Sequence, residues 1–265
     1  MNKEELILRK RLVDLSNRAF QRDIVTFSDF LNLNELHILH TTPKDLFPAR
    51  YKTFGGYDLS ERQMIAFLPD ALYYTQNDSY AGGSLLPAGY EYPIQAVSIR
   101  PLHQKFAEDL SHRDYLGSLM NLGMERSKFG DIIVMDKEAI IFLCEEIADY
   151  VTDNLTRIRH TSVQCLKQEL RDLSYTPACT ELKGTVPSVR LDTVMSVAFP
   201  ISRSKLTAYI TAGKVFVNGK LITSNGFRLE EGNIISVRGL GRISYEGILS
   251  ETKKGRYYIS VRKYI

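Results

Sequence analysis

Arg190-Leu191-Asp192-Thr193-Val194-Met195-Ser196-Val197-Ala198-Phe199, then Pro200-Ile201-Ser202-Arg203-Ser204-Lys205-Leu206-Thr207-Ala208-Tyr209-Ile210-Thr211-Ala212-Gly213, is the stretch whose reading decides the fold of the C-terminal third of this chain. Leu191, Val194, Met195 and Ala198 fall on one helical face, and Pro200 ends that helix because it has no amide to donate. Ser202 is placed to cap a second helix, with Lys205 rather than Glu three residues on, so a cap without a box. Leu206, Tyr209 and Ile210 supply its apolar stripe, and Gly213 is its expected C′ residue. Val215-Phe216-Val217 then reads as a short strand, Asn218-Gly219 as a tight turn and Leu221-Ile222 as the return. A turn at Glu231-Gly232-Asn233 leads into a strand ending at Arg238. Two short helices on a small sheet are predicted.

Charge marks the same segment. Residues 183–265 carry fourteen Lys and Arg against five Asp and Glu, a net of +9; the whole chain is +3, which leaves −6 for residues 1–182. Positive charge segregated onto one end points to a polyanionic partner, because Lys and Arg that neutralise phosphates release counterions. Arg190 opens the first predicted helix, and Arg203 and Lys205 lie in the first turn of the second. At both starts, unpaired amides and a partial positive charge favour phosphate, and arginines add bidentate contacts. Lys214, Lys220 and Arg238 extend the patch along the adjoining turn and sheet. Asp192 is read as orienting Arg190 or capping a backbone group, not as an acid catalyst.

In order, Arg190-Leu191-Asp192, Ser202-Arg203-Ser204, Gly213-x-Val215-x-Val217-Asn218-Gly219 and Gly232-Asn233-x-Ile235-x-Val237-Arg238-Gly239 resemble the alpha-L RNA-binding motif. That is the domain typified by the fourth small-subunit ribosomal protein. Asn233 stands where the motif usually has Asp, an isosteric change that should keep the turn. Phe54-Gly55-Gly56-Tyr57-x-x-x-Glu61-Arg62 and Leu122-Gly123-Met124-Glu125-Arg126-Ser127-Lys128-Phe129-Gly130-Asp131-Ile132 are similar to the YlmH family of bacterial proteins. The resemblance then covers nearly the full length. It implies a non-catalytic, ribosome-associated factor, linked in relatives to rescue of stalled large subunits carrying peptidyl-tRNA. In that picture the C-terminal motif grips ribosomal RNA and the tRNA backbone, and Arg190 and Arg203 are the natural contacts. With their neighbours, the expected RNA-binding set is Arg190, Asp192, Ser202, Arg203, Ser204, Lys205, Lys214, Asn218, Lys220 and Arg238.

Upstream, Leu6, Leu12, Val13, Leu15, Ala19 and Phe20 recur at helical spacing, and Ser28-Asp29 is placed to cap a second helix. Thr42-Pro43 and Phe47-Pro48 break the pattern. Tyr51–Pro69 reads as an α/β unit with a turn at Gly55-Gly56, and Gly82-Gly83 with Pro87-Ala88-Gly89 as a linker. Between Tyr92 and Leu173 the order is strand (Ile94–Ile99), helix (from Ser111 to Leu122, stopped at Gly123), strands at Asp131–Met135 and Ala139–Leu143, helix (Glu145–Asn154) and a last strand within Thr156–Leu166. Thr176-Pro177 and Lys183–Pro187 read as the clearest linker. The predicted fold is α+β in three small domains: an N-terminal α/β unit over 1–85, a central ferredoxin-like (RRM-like) βαββαβ domain over 90–175, and the alpha-L motif with a β-hairpin tail over 183–265.

Other features leave alternatives open. Arg126 and Lys128 are a candidate second RNA contact, set against a solvated connecting loop. Arg100 is undecided. Tyr57, Tyr73, Tyr74 and Tyr80 could stack on bases, although half-buried tyrosines are commoner. The hairpin tail, with Lys253-Lys254-Gly255-Arg256 at its turn and Tyr257, Tyr258, Arg262 and Lys263 on its strand, is either a further RNA surface or a structural closure. His37 and His40 lack a third ligand, so no metal is expected. Cys144, Cys165 and Cys179 are odd in number, without Cys-x-x-Cys spacing, and fit buried, inert thiols in a reducing cytosol. No run approaches the roughly 18 apolar residues of a membrane span, and no secretory signal is evident.

Enzymes that carry an alpha-L motif fit less well. Pseudouridine synthases have His-Arg-Leu-Asp-x-x-Thr-Ser-Gly in a separate domain, whereas Arg190-Leu191-Asp192 follows Val189 inside the motif itself. His37-Ile38-Leu39-His40 lacks the glycine of a tyrosyl-tRNA synthetase signature. Neither Gly55-Gly56 nor Gly82-Gly83 makes a Gly-x-Gly-x-x-Gly turn. The expected partners are therefore RNA (ribosomal RNA, tRNA or both) and the large ribosomal subunit in the cytoplasm, with no catalytic residue, cofactor, metal, membrane or small-molecule substrate. The alternative is an RNA-modifying enzyme with an unrecognised active site in residues 1–182.

Overall fold

A computed structural model describes residues 3–73, 86, 89–173, 175 and 177–264, which divide into two units, 1–174 and 175–265. Among the described residues no helix is long and apolar enough to cross a membrane. The linker expected at Gly82-Gly83 and Pro87-Ala88, and the tyrosines Tyr74 and Tyr80, lie outside them, as does the side chain of Tyr73.

The first unit opens with α1 (Lys3–Arg22), which buries Leu12, Leu15, Ser16 and Ala19 on one face. β1 (Thr26–Phe27), α2 (Leu33–Thr41), β2 (Arg50–Phe54), β3 (Met64–Leu68) and the short α3 (Asp70–Tyr73) follow. The strands form an antiparallel sheet in the order β1-β3-β2, with every residue of the central strand buried. Two expectations are corrected here. The second helix is capped by Asn32 and not by Ser28-Asp29. The Asn32 side chain accepts from the Asn34 and Glu35 amides, and Glu35 accepts from the Asn32 amide at 2.7 Å. Ser28 is instead taken up by the sheet, its hydroxyl accepting from the Ile65 N–H at 2.9 Å. Tyr51–Pro69 holds no helix: Met64–Leu68 is a short, continuous apolar run, and such a run suits a fully buried strand.

β4 (Ile94–Pro101), α4 (His112–Met120), β5 (Phe129–Met135), β6 (Glu138–Cys144), α5 (Glu145–Asn154), β7 (Arg157–Ile158) and β8 (Thr161–Gln168) complete the unit. The sheet runs β5-β6-β4-β8-β7, antiparallel throughout. Apart from the two-residue β7, this is the ferredoxin-like arrangement that the βαββαβ order predicts. The register sets Ala96 beside Phe142 and Gln168 on one face and Val97 beside Ile141 and Lys167 on the other. α5 covers the second face, where Lys167 pairs with Asp149.

The first face meets the loop joining β2 to β3. The Tyr57 ring stacks on Phe142 with centroids 5.3 Å apart and planes at 23°. Gly56 lies at φ +101°, and a Cβ there would stand 2.2 Å from the Phe142 ring. On the other side, a Cβ on Gly130 would stand 2.7 Å from Phe30. Gly56 and Gly130, one in each quoted motif, are sites of close approach between the second sheet and the loops of the first.

The second unit contains β9 (Cys179–Val186), α6 (Leu191–Ala198), α7 (Arg203–Thr211), β10 (Val215–Val217), β11 (Lys220–Leu221), β12 (Ile234–Val237), β13 (Gly241–Glu251) and β14 (Tyr257–Tyr264). They make a six-stranded antiparallel sheet in the order β11-β10-β12-β13-β14-β9. Leu191, Val194, Met195 and Ala198 of α6 and Leu206 and Ile210 of α7 pack with Val215, Ile235, Ile243, Ile259 and Val261 in one core. α7 ends as its glycine predicts. Gly213, at φ +68°, donates to Ile210 O, and Lys214 donates to Tyr209 O, both at 3.1 Å; this is a Schellman closure. Asn233 keeps its turn, its side-chain oxygen accepting from the Glu230 N–H at 3.1 Å.

The linker expected at Lys183–Pro187 is largely strand: Cys179–Val186 pairs residue by residue with β14. Its outward positions are polar and one core-side position is Gly184, so the apolar alternation that announces a strand is weak. A Cβ on Gly184 would stand 2.9 Å from Val197, which shows how closely α6 lies on β9. Cys144 and Cys165 are buried as expected, but Cys179 is exposed at the start of β9. Burial pushes the Cys144 thiol up to about 12 and the Cys165 thiol to about 11, and both stay protonated.

Replacing Gly56 by Ala forces a methyl into the Phe142 ring at a backbone angle that alanine rarely adopts. The expected loss of stability is about 1–3 kcal/mol, read as a lowered urea midpoint for unfolding of the first unit.

Candidate nucleic-acid interface

Arg190 ends the extended segment before α6, and Asp192 sits in the first turn of that helix. Arg203 begins α7. The turn at Phe199–Ile201 brings the two helix starts together, and Asp192 ties them. Its carboxylate is 4% exposed and accepts from Arg190 Nε at 3.2 Å, Arg190 Nη2 at 3.0 Å and Arg203 Nε at 3.0 Å. The guanidiniums themselves are 43% and 53% exposed at the side chain, so their remaining donors face solvent. Burial raises the proton affinity of Asp192, but the hydrogen bonds and charges of Arg190 and Arg203 outweigh it and hold the carboxyl below its ordinary range. The expected orienting role of Asp192 thus extends to both arginines.

The start of α6 offers no open amides, contrary to expectation. Leu191 N–H donates to Phe227 O at 2.9 Å, Asp192 N–H to Asn225 O at 3.4 Å and Thr193 N–H to Arg190 O at 3.1 Å. Residues 225–229 run beside the helix start and cap it with backbone carbonyls. At α7, by contrast, Lys205 is the one backbone amide that Ser202 Oγ accepts, at 3.4 Å, and the same hydroxyl shares a hydrogen bond with Ser204 Oγ at 3.1 Å. The Arg203 and Ser204 amides find no acceptor among the described residues. Ser202, Arg203, Ser204 and Lys205 are all exposed there. An anion is favoured at this helix start, where open amides and the helix dipole point outward.

The remaining expected contacts separate from this cluster. Lys214 follows the far end of α7, about 13 Å along the helix, and lies beside Arg238, whose N–H donates to Lys214 O at 2.9 Å. Both side chains are exposed; Lys214 lies over the Tyr209 ring and Arg238 over Phe216, each at 5.3 Å. Asn218 serves its turn, its side-chain oxygen accepting from Ile234 N–H at 2.8 Å. Lys220 is exposed on β11. In the tail, Arg256 donates to Thr185 O, Arg262 pairs with Glu246, and Lys263 lies over Phe199.

Arg126 and Lys128 are engaged within the first unit. Arg126 Nη1 donates to Phe129 O at 2.6 Å, and Arg62 donates to Phe129 O, Phe30 O and Arg126 O. Asp131 accepts from Tyr57 Oη at 2.9 Å, Glu61 N–H at 2.7 Å and Arg62 N–H at 3.1 Å. Burial and the neighbouring Arg62 push the Arg126 guanidinium down to about 10. Lys128 reaches Asp29 at 2.9 Å and Glu146 at 2.5 Å. Asp29, Cys144 and Glu146 place three ligand-type atoms close together, but the Lys128 ammonium already supplies the positive charge there. Arg100 is likewise paired, with Glu138 at 3.0 Å, and His37 and His40 lie on α2, half-buried and exposed. One residue that sequence reasoning passed over is Arg228, which stands directly opposite Arg190. Its only signal was its charge, since it lies outside every quoted motif.

Residues 87–172 match the family described as "Putative RNA-binding domain in YlmH", and residues 189–235 match the S4 domain. A relative from Bacillus subtilis (strain 168), "Ribosome-associated protein quality control protein P2", is 31% identical over 210 residues, covering 79% of this chain and 76% of that protein. "Cell division protein ylmH from Streptococcus pneumoniae", a solved structure, aligns at a TM-score of 0.48 and 19% identity over 64% of this chain and 93% of that one. That likeness is too loose to bear on the site. Fold and family matches define a modular RNA-binding protein with a C-terminal S4 domain. Within that class, the chain belongs to the YlmH family.

Two outcomes follow from the geometry. Because the folded Asp192 carboxyl is held low, its stabilising contribution is fully present above its unfolded value near 3.8 and is lost as pH falls through the folded one. Thermal melts of wild type and Asp192→Asn should therefore differ at neutral pH and converge in acid. Arg126→Ala should lower the stability of the first unit and leave RNA affinity unchanged, as measured by melting and filter binding on the same samples.

Proposed function

We propose that this chain is a non-catalytic RNA-binding protein of the bacterial translation apparatus. It would hold ribosomal RNA, tRNA or both on the large subunit, in quality control of stalled peptidyl-tRNA complexes. The observation that carries the RNA-binding part is the cluster of Arg190, Arg203 and the open α7 start around the buried Asp192. One carboxylate orders two guanidiniums without covering them, which leaves planar donors fixed for phosphate. Such pre-ordering lowers the side-chain entropy lost on binding.

The ribosomal part rests on family membership and on the relative's name, which describes a ribosome-associated quality control protein. Charge supports the same partner: the second unit carries the excess of Lys and Arg, and a ribosomal surface is polyphosphate. The chain's task in this reading is to grip and position RNA, and no bond-making step is assigned to it. Arg126 and Lys128 are left out of the proposed interface, because their donors already serve Phe129, Gly130, Asp29 and Glu146.

Sedimentation of the wild type and an Arg190→Ala/Arg203→Ala double variant with purified ribosomal subunits tests the reading. The wild type should travel with large subunits, and the double variant should lose most of that binding, about 1–3 kcal/mol per arginine. Equal binding by both would move the RNA site into residues 1–182. Failure of both would return the question to a free RNA substrate and the enzyme alternative, tested by the mass of RNA incubated with the protein and candidate cofactors.

A further inference from the structure

Arg190 and Arg228 face each other across an isolated antiparallel bridge. Leu191 N–H donates to Phe227 O at 2.9 Å, and Leu229 N–H donates to Val189 O at 3.3 Å. The 190–228 pair lies between these bonds, as a non-hydrogen-bonded pair. In that geometry the Cα atoms come within about 4.5 Å and the side chains leave from the same face. Like charges placed directly opposite in this way are destabilising.

Arg190 is offset by Asp192, but that carboxylate is shared with Arg203. Arg228 is exposed, and among the described residues no hydrogen bond or ion pair engages its guanidinium. Three arginines therefore begin around one carboxylate, and the one with every donor open is Arg228. Its backbone position sets it opposite a like charge, and among the described residues no ion pair offsets that placement. An anion seated beside Arg190 would turn that repulsion into attraction.

We propose that Arg228 is a third RNA-contacting arginine, which takes a backbone phosphodiester alongside Arg190. The inference rests on the RNA-binding reading above and adds to it a residue and a ligand class. The phosphodiester is recognised as charge, not through a base edge. The backbone around Arg228 has a separate task, since Phe227 and Asn225 carbonyls cap α6. A side-chain change at 228 therefore leaves the cap in place.

The test is binding over a potassium chloride series, with purified large ribosomal subunits and with a short single-stranded RNA as probes. Arg228→Gln is expected to bind roughly tenfold more weakly than wild type, the scale of one lost charge-assisted contact. Its log–log salt dependence should be shallower by about 0.7–0.9, one phosphate fewer. Arg228→Lys should keep the wild-type slope, and Arg228→Gln should melt no lower than wild type. If the wild type binds and Arg228→Gln matches it in affinity and slope, the assignment is overturned while the RNA-binding reading stands. Weaker binding at an unchanged slope also overturns it. Wild-type binding to the short RNA alone, with the slope dependent on Arg228, overturns the ribosomal reading and upholds the assignment. No wild-type binding to either probe overturns both.

Discussion

The Asp192 carboxylate, buried and shared between the guanidiniums of Arg190, two residues before it, and Arg203, eleven residues after it, fixes the C-terminal site. A buried carboxylate is costly unless its lone pairs are matched by donors. Here Arg190 and Arg203 provide them, and in doing so they hold the starts of α6 and α7 together. The arginines gain fixed orientations from the same contacts. Stability and the proposed recognition thus meet in one ion cluster: truncating an arginine leaves the carboxylate short of a partner as well as removing a donor from the proposed RNA site.

A second lock organises the first unit. The face of a ferredoxin-like sheet is where RNA-binding relatives of that fold stack bases. Here Tyr57 stacks on Phe142 at that face, and the Tyr57 hydroxyl is tied to Asp131. The loop between β2 and β3 therefore fills a place that a base would take. This packing covers the Phe142 part of that face, while Gln164 and Leu166 of β8 on the same face stay exposed. It also gives the glycines at 56 and 130 a reason: each lets an aromatic ring approach the backbone between the second sheet and the loops of the first.

What was legible in the sequence was local. The α6–α7 pair could be read because Leu191, Val194, Met195 and Ala198 repeat at helical spacing, Pro200 interrupts, Ser202 caps and Gly213 closes. Asn218-Gly219 announced its hairpin for the same reason. Interactions between distant segments left no such trace. Lys128 finds Asp29 ninety-nine residues away, and Arg62 finds Phe129 sixty-seven residues away, so a loop of charges looked like a solvated one. The Arg190–Arg228 pairing has no periodicity of its own. β9 hid because its outward residues are polar and Gly184 stands where the core side would otherwise show an apolar side chain. The cap of α2 was missed for a different reason: Ser28-Asp29 reads as a cap by itself, and only the long-range bond from the Ile65 N–H shows that the sheet takes up Ser28.

β9 bears on where this protein can be divided. The segment matching the S4 domain, 189–235, omits β9, β13 and β14. Those strands supply Val186, Ile243, Tyr245, Ile259 and Val261 to the core that α6 and α7 also share. β14 spends one edge on β13 and the other on β9, across eight consecutive pairs. A piece cut at residue 187 would leave Tyr257–Tyr264 with a bare row of backbone donors and acceptors, flanked by aromatic side chains. Such an edge invites pairing with another chain. The segment that behaves as an autonomous module is therefore longer than the recognisable motif, and it begins before the residues that name it.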